Sequence, residues 1–129
     1  MLQIGIKGEC NEIVTEKNSA ASMRSGELAV YATPSMIALI EETAWRSVAP
    51  QLESGMATVG TLLNVAHVAP TPVGMTVKCE TELTEVDGRR LVFSVKVSDE
   101  CGEIGRGTHE RFIINEEKFQ KKADAKKEA

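Results

Sequence analysis

Between Thr33 and Val48 the apolar positions recur at intervals of three and four, and no other stretch of the chain sustains that interval. Set at 100° steps, Met36, Ile37, Ile40, Thr43, Ala44, Ser47 and Val48 fall within an arc about 140° wide, the stripe that an amphipathic helix turns toward a core. Its ends are marked chemically. Thr33 can cap the helix, Pro34 suits the first helical position, and Pro50 stops the run. The spacing predicts one helix of about 16 residues, roughly 24 Å long.

Downstream the interval falls to two. In "MTVKCETEL" Val77, Cys79, Thr81 and Leu83 alternate with Lys78, Glu80 and Glu82, and in "LVFSVKVS" Leu91, Phe93, Val95 and Val97 share a face. Asp87-Gly88 between these runs is a strong hairpin signal, and "DECGE" turns the chain again into "IGRGTHERFIIN". Ahead of them "MATVGTLLNVAHVAPTP" reads as a long strand ended by Pro70 and Pro72, and "LQIGIKGECNEIVT" as an N-terminal strand pair. The order predicts an α+β domain over residues 1–119, one long helix wrapped by a curved antiparallel sheet of five to six strands. Residues 120–129 read as a charged tail, a frayed helix or disorder. One helix cannot cover both faces of such a sheet, so its other face is expected to meet solvent or a second copy, giving a homo-oligomer.

Composition narrows the function classes. The chain has 129 residues and a formal net charge of -4, which argues against nucleic acid as the main partner, since phosphate binding needs a surplus of Lys and Arg on one face. Neither a long apolar run nor a signal-peptide pattern is found, so no membrane partner and a cytoplasmic setting are expected. Cys10, Cys79 and Cys101 are odd in number and widely spaced, as expected of reduced thiols rather than a disulfide framework or a metal site. "GEIGRG" lies between strands rather than ahead of a helix, so it reads as tight turning and close packing rather than a nucleotide loop.

The helix carries two adjacent glutamates. Glu42 points away from the apolar stripe and stands four residues before Arg46, so a surface ion pair accounts for it. Glu41 projects at the margin of the stripe, where a carboxylate needs a partner to offset desolvation. His67 is the natural candidate, because a carboxylate beside an imidazole fixes its tautomer and supports a general base. Thr33 offers a hydroxyl, and the Gly60-Thr61 backbone, with no Cβ at Gly60, could donate an N–H to a polarised carbonyl. Each has a plainer reading: Thr33 as a cap, His67 as a hydrogen-bonded structural histidine, and His109, on one strand face with Arg111, as a structural or oligomer contact.

The ordered set "ATPSMIALIEETA", "GTLLNVAHVAPTPVGMTV", "DGRRLVFSV" and "EIGRGTHERFII" resembles the hotdog-fold thioesterases, in particular the fluoroacetyl-CoA thioesterase-like branch, from about Val30 to Phe119. The resemblance implies a homodimer or higher homo-oligomer with the site at the subunit interface, and hydrolysis of an acyl-CoA thioester without metal or organic cofactor. It implies catalytic roles for Thr33, Glu41 and His67, and substrate-binding roles for Gly60 and Arg111. In the fluoroacetyl-specific members bulky aromatic residues close a small dry pocket, whereas "NSAASMRSGELAV" has none, so a general short- or medium-chain acyl-CoA is the expected substrate. Arg89, Arg90, Arg111 and the tail lysines are candidates for the coenzyme A phosphates. A non-hydrolytic acyl-CoA or acyl-carrier binding module is the alternative on the same fold; an enoyl-CoA hydratase would need an Asp/His pair in a loop-helix pattern that is not found.

Overall fold

The computed structural model describes residues 2–128. In chain order they form β1 (Lys7–Ile13), a short α1 (Ala20–Met23), the long α2 (Thr33–Val48), β2 (Met56–His67), β3 (Thr76–Asp87), β4 (Arg90–Asp99), β5 (Gly102–Asn115) and α3 (Glu116–Asp124). The strands make one antiparallel sheet in the order β1-β3-β4-β5-β2, so β1 and β2 are its edges.

Three local expectations change. The N-terminal strand pair is one strand, because Gly5, at φ 104, turns the chain before β1 begins. β2 stops at His67, ahead of the two prolines that cannot donate to a ladder. The hairpin loop lies one residue later than Asp87-Gly88: Asp87 pairs with Arg90, leaving Gly88-Arg89 as the loop, with Gly88 at φ 60 in its first position.

The sheet wraps α2. Met36, Leu39 and Ile40 pack with Val77, Cys79, Val95, Val97 and Ile104, while Ala44 and Val48 meet Leu83, Leu91 and Phe93 farther along the helix. Ile40 is fully buried, and truncating such a side chain to alanine costs about 2–5 kcal/mol. The buried stripe is rotated from the expected one. Ser35 and Leu39 are buried, whereas Ile37 and Ser47 are only half-buried. The consequence is an open flank, along which Thr33, Ile37, Glu41 and Trp45 step by four and none is fully covered. Glu42 faces solvent and pairs with Arg46 at 3.0 Å. The charged C-terminal segment is helical as α3, capped by the Asn115 side chain, which accepts from the Lys118 amide at 3.0 Å. No helix among the described residues is long and apolar enough to cross a membrane.

Candidate active site

Thr33 is the first residue inside α2, and Ala32 stands at the cap position without any side-chain bond. The expected capping role is therefore not taken up, which leaves the hydroxyl available. Thr33 Oγ1 lies 2.7 Å from Nδ1 of His67, at the end of β2. The ring of Tyr31 stands edge-on to that imidazole, with centroids 6.5 Å apart. Tyr31 is itself buried and fixed by donating its hydroxyl to Glu12 at 2.7 Å. Burial pushes the His67 pKa below its ordinary value, opposed by the backbone of Ala69. The ring is thus neutral at pH 7, the state of a base. With Nδ1 accepting from Thr33 the ring proton sits on Nε2, which is shielded from solvent and has no partner among the described residues. A cavity of about 280 Å³ opens here, walled by Ser25, Val30, Tyr31, Thr33, His67 and Ala69.

Glu41 lies elsewhere. Eight residues beyond Thr33, it is about 12 Å farther along the helix axis, too far to reach an imidazole held at the helix start. The expected Glu41–His67 pair is not formed within the chain. Instead Glu41 Oε2 faces an Arg111 guanidinium nitrogen at 3.4 Å, and a Cβ built on Gly60 would meet that same oxygen at 2.5 Å. A side chain at position 60 would compete with that carboxylate for the space above the strand. Beside it Thr61 has no partner in register, a bulge between Gly60 and Leu62.

Arg111 holds this second cluster together. Its guanidinium donates to Thr58 Oγ1 at 2.8 Å, to the Thr58 carbonyl at 2.9 Å, to His109 Nε2 at 3.1 Å and to Glu41. A guanidinium buried to 5% exposure that donates four hydrogen bonds in this way ties Thr58, His109 and Glu41 together within the chain. His109 is fully buried, which removes it as an oligomer contact. It donates Nδ1–H to the Leu62 carbonyl at 2.9 Å, stacks on Phe93 and presents a bare Nε2 to Arg111. Its pKa is lowered by burial first; the Leu62 carbonyl opposes this, and the charge of Arg111 adds to it. Thr58 and His109 were not singled out as site residues from sequence. The available signal was in β5, where the polar side of "THERF" faces inward and Phe112 is 40% exposed. Among the described residues no cluster of His, Cys, Asp and Glu has the grouping of a metal site.

Residues 14–117 match the family model of the fluoroacetyl-CoA-specific thioesterases. A fluoroacetyl-CoA thioesterase of Streptantibioticus cattleyicolor is 46% identical over 97 residues, 75% of this chain and 70% of that protein. A solved fluoroacetyl-CoA thioesterase superposes with a TM-score of 0.91 at 38% identity, over 98% of both chains. A thioesterase superfamily member of Thermus thermophilus does so with a TM-score of 0.91 at 25% identity, over 99% of this chain and 95% of that one. The wrapped helix and five-stranded sheet are the hotdog fold.

Proposed function

Because the chain belongs to the fluoroacetyl-CoA-specific thioesterase family, we propose that it hydrolyses a short- or medium-chain acyl-CoA to the free acid and coenzyme A. The observation that carries this reading is the 2.7 Å contact between the Thr33 hydroxyl and a neutral His67. Thr33 is not the cap of its helix, and both groups face a cavity of about 280 Å³, close to the lower end of ligand-sized pockets at ~300 Å³. No aromatic residue from the 18–30 segment closes that cavity, which favours an ordinary acyl group over a fluoroacetyl-specific fit.

The second half of the site comes from a second copy. β2 is an edge strand of 12 residues whose Leu62 is 49% exposed, a surface suited to antiparallel pairing with another β2. Such a side-by-side dimer brings the Glu41–Gly60 face of one chain to the Thr33–His67 cavity of the other. The carboxylate then stands beside the Thr33–His67 pair, where its charge stabilises the imidazolium that forms.

Thr33, or a water held by it, attacks the thioester carbonyl carbon and gives its proton to His67 Nδ1. Backbone N–H groups at Gly60-Thr61 of the partner subunit donate to the oxyanion. Collapse breaks the C–S bond, and the leaving thiolate takes the proton back from His67. If Thr33 itself attacks, a water cleaves the resulting ester through the same groups. Cytoplasmic residence is part of the same reading.

A thiol-release assay over acyl-CoA esters of increasing chain length tests the activity. Saturable binding without turnover of any ester would replace the hydrolase by a non-hydrolytic acyl-CoA module. Single-turnover mass spectrometry separates the two nucleophiles by the presence or absence of an acyl adduct on Thr33. Light scattering behind size exclusion tests the shared site, which a clean monomer at micromolar concentration would remove.

A further inference from the structure

Coenzyme A carries a pyrophosphate and a 3′-phosphate beside an adenine ring, and a protein of net charge -4 must gather cations locally to hold them. Five of its 15 Lys and Arg side chains are already committed. Arg111 is buried and bonded, Arg90 is held by Glu85 at 2.6 Å and Glu110 at 2.9 Å, and Arg46, Arg106 and Lys121 each pair with a nearby glutamate. Lys7 and Lys96 share a hollow with Glu80 and Glu82, which cancel them.

One groove differs. Between the β3–β4 hairpin and α3, a hollow of about 180 Å³ is lined by Arg89, Lys118 and Lys122 with Ile114, Asn115 and Phe119, and by no carboxylate. Lys118 and Lys122 are four apart on one face of α3, and none of the three cations has an ion pair among the described residues. Phe119 is 43% exposed beside them and offers a ring face on which a base can stack. A second hollow, lined by Phe119, Lys122 and Ala123, adds Lys126.

We propose that this groove binds the 3′-phosphoadenosine diphosphate portion of the substrate, Arg89, Lys118 and Lys122 holding phosphates and Phe119 stacking on adenine. The assignment rests on the acyl-CoA reading above, and strand geometry puts the groove within reach. α3 begins where β2 starts: Met56 pairs with Asn115, and the Glu116 amide donates to the Gly55 carbonyl at 3.0 Å. His67 ends the same strand. Antiparallel pairing of two β2 edges sets the His67 end of one chain beside the Met56 end of the other, so each groove flanks the other chain's Thr33–His67 cavity.

The test compares an acyl-CoA with the same acyl thioester of pantetheine, which lacks the nucleotide, in the parent and in Arg89→Ala/Lys118→Ala/Lys122→Ala. KM for the acyl-CoA should rise at least about tenfold, equivalent to about 1.4 kcal/mol, with kcat unchanged and both constants for the pantetheine ester within about twofold. Lys7→Ala/Lys96→Ala removes charge elsewhere and should leave both substrates alone. An unchanged KM for the acyl-CoA, an equal rise for both esters, or an equal effect of the control pair would overturn the assignment. If the parent hydrolyses neither ester, the acyl-CoA reading fails and the groove is still read directly by titrating adenosine 3′,5′-bisphosphate. Saturable binding lost in the triple variant supports the groove, and no binding to the parent refutes it.

Discussion

Gly60→Ala separates catalytic positioning from stability more cleanly than any other single change. The added Cβ would stand 2.5 Å from Glu41 Oε2 and 3.3 Å from both an Arg111 nitrogen and His109 Cε1. Ordinary contact begins near 3.4 Å, so the carboxylate must retreat by about 0.9 Å, the difference of those two distances. That retreat is inexpensive for the fold, because the Glu41 side chain is 41% exposed and can swing outward. Gly60 is absent from the positive-φ positions, so alanine fits its backbone. Restricting the unfolded chain should contribute about 0.4–1 kcal/mol of stability and offset the lost contact. Catalysis is less forgiving: a misplacement of about 1 Å in a positioned group costs on the order of a hundredfold in rate. The expected outcome is a melting temperature within a few degrees of the parent and kcat/KM for an acyl-CoA lower by about two orders of magnitude. Thiol release gives the rate and circular dichroism the melting curve. Full activity in Gly60→Ala would refute the placement of Glu41 in the machinery, and a loss of activity matched by unfolding would refute the division between position and stability.

Other outcomes follow from the same geometry. Glu41→Gln should impair turnover while Glu42→Gln leaves it near normal and costs no more than about 0.5 kcal/mol, since Glu42 and Arg46 are a solvent-exposed helix pair; equal effects of the two would remove the distinction. His67→Ala should lower hydrolysis by at least about a hundredfold with little change in folding. In the parent, kcat/KM should be flat near pH 7 and decline only below the ordinary histidine value of 6.5, because burial lowers the His67 pKa and the base acts unprotonated. His109 bears on stability. Its folded pKa is depressed, so below about 6.5 the unfolded chain binds more protons than the folded one, and its contribution, present above that pH, is lost as pH falls through the folded pKa. Urea unfolding at pH 7.5 and 5.5 should show that loss in the parent and a shallower one in His109→Gln; identical slopes would contradict the buried neutral imidazole.

Much of the architecture is legible in periodicity, because periodicity is a local property. Thr33–Val48 reads as helix from its own spacing and prolines, and the alternation around Val77 and Leu91 already separates a buried from an exposed face. The asymmetry of the two glutamates follows from a 100° step, and the pairing of Glu42 with Arg46 follows from a spacing of four. The ordered motifs, taken together, identify the family.

Contacts between distant segments are not written locally. That Thr33 reaches His67 depends on where the end of β2 falls against the start of α2, a juxtaposition of residues 34 apart that no window of sequence contains. The same limit applies to Glu41: within one chain the rise of the helix carries the carboxylate about 12 Å from that imidazole, and the fold sets it against Arg111, 70 residues distant. Arg111 illustrates the point from the other side, since nothing near it in sequence shows that it is buried with four of its donors on Thr58, His109 and Glu41. The sequence by itself determined which segments are helix or strand and which chemical groups the chain owns, because those depend on neighbours along the backbone. Only the tertiary structure decided which groups meet and which cations stay free, because both depend on how the sheet curls around α2.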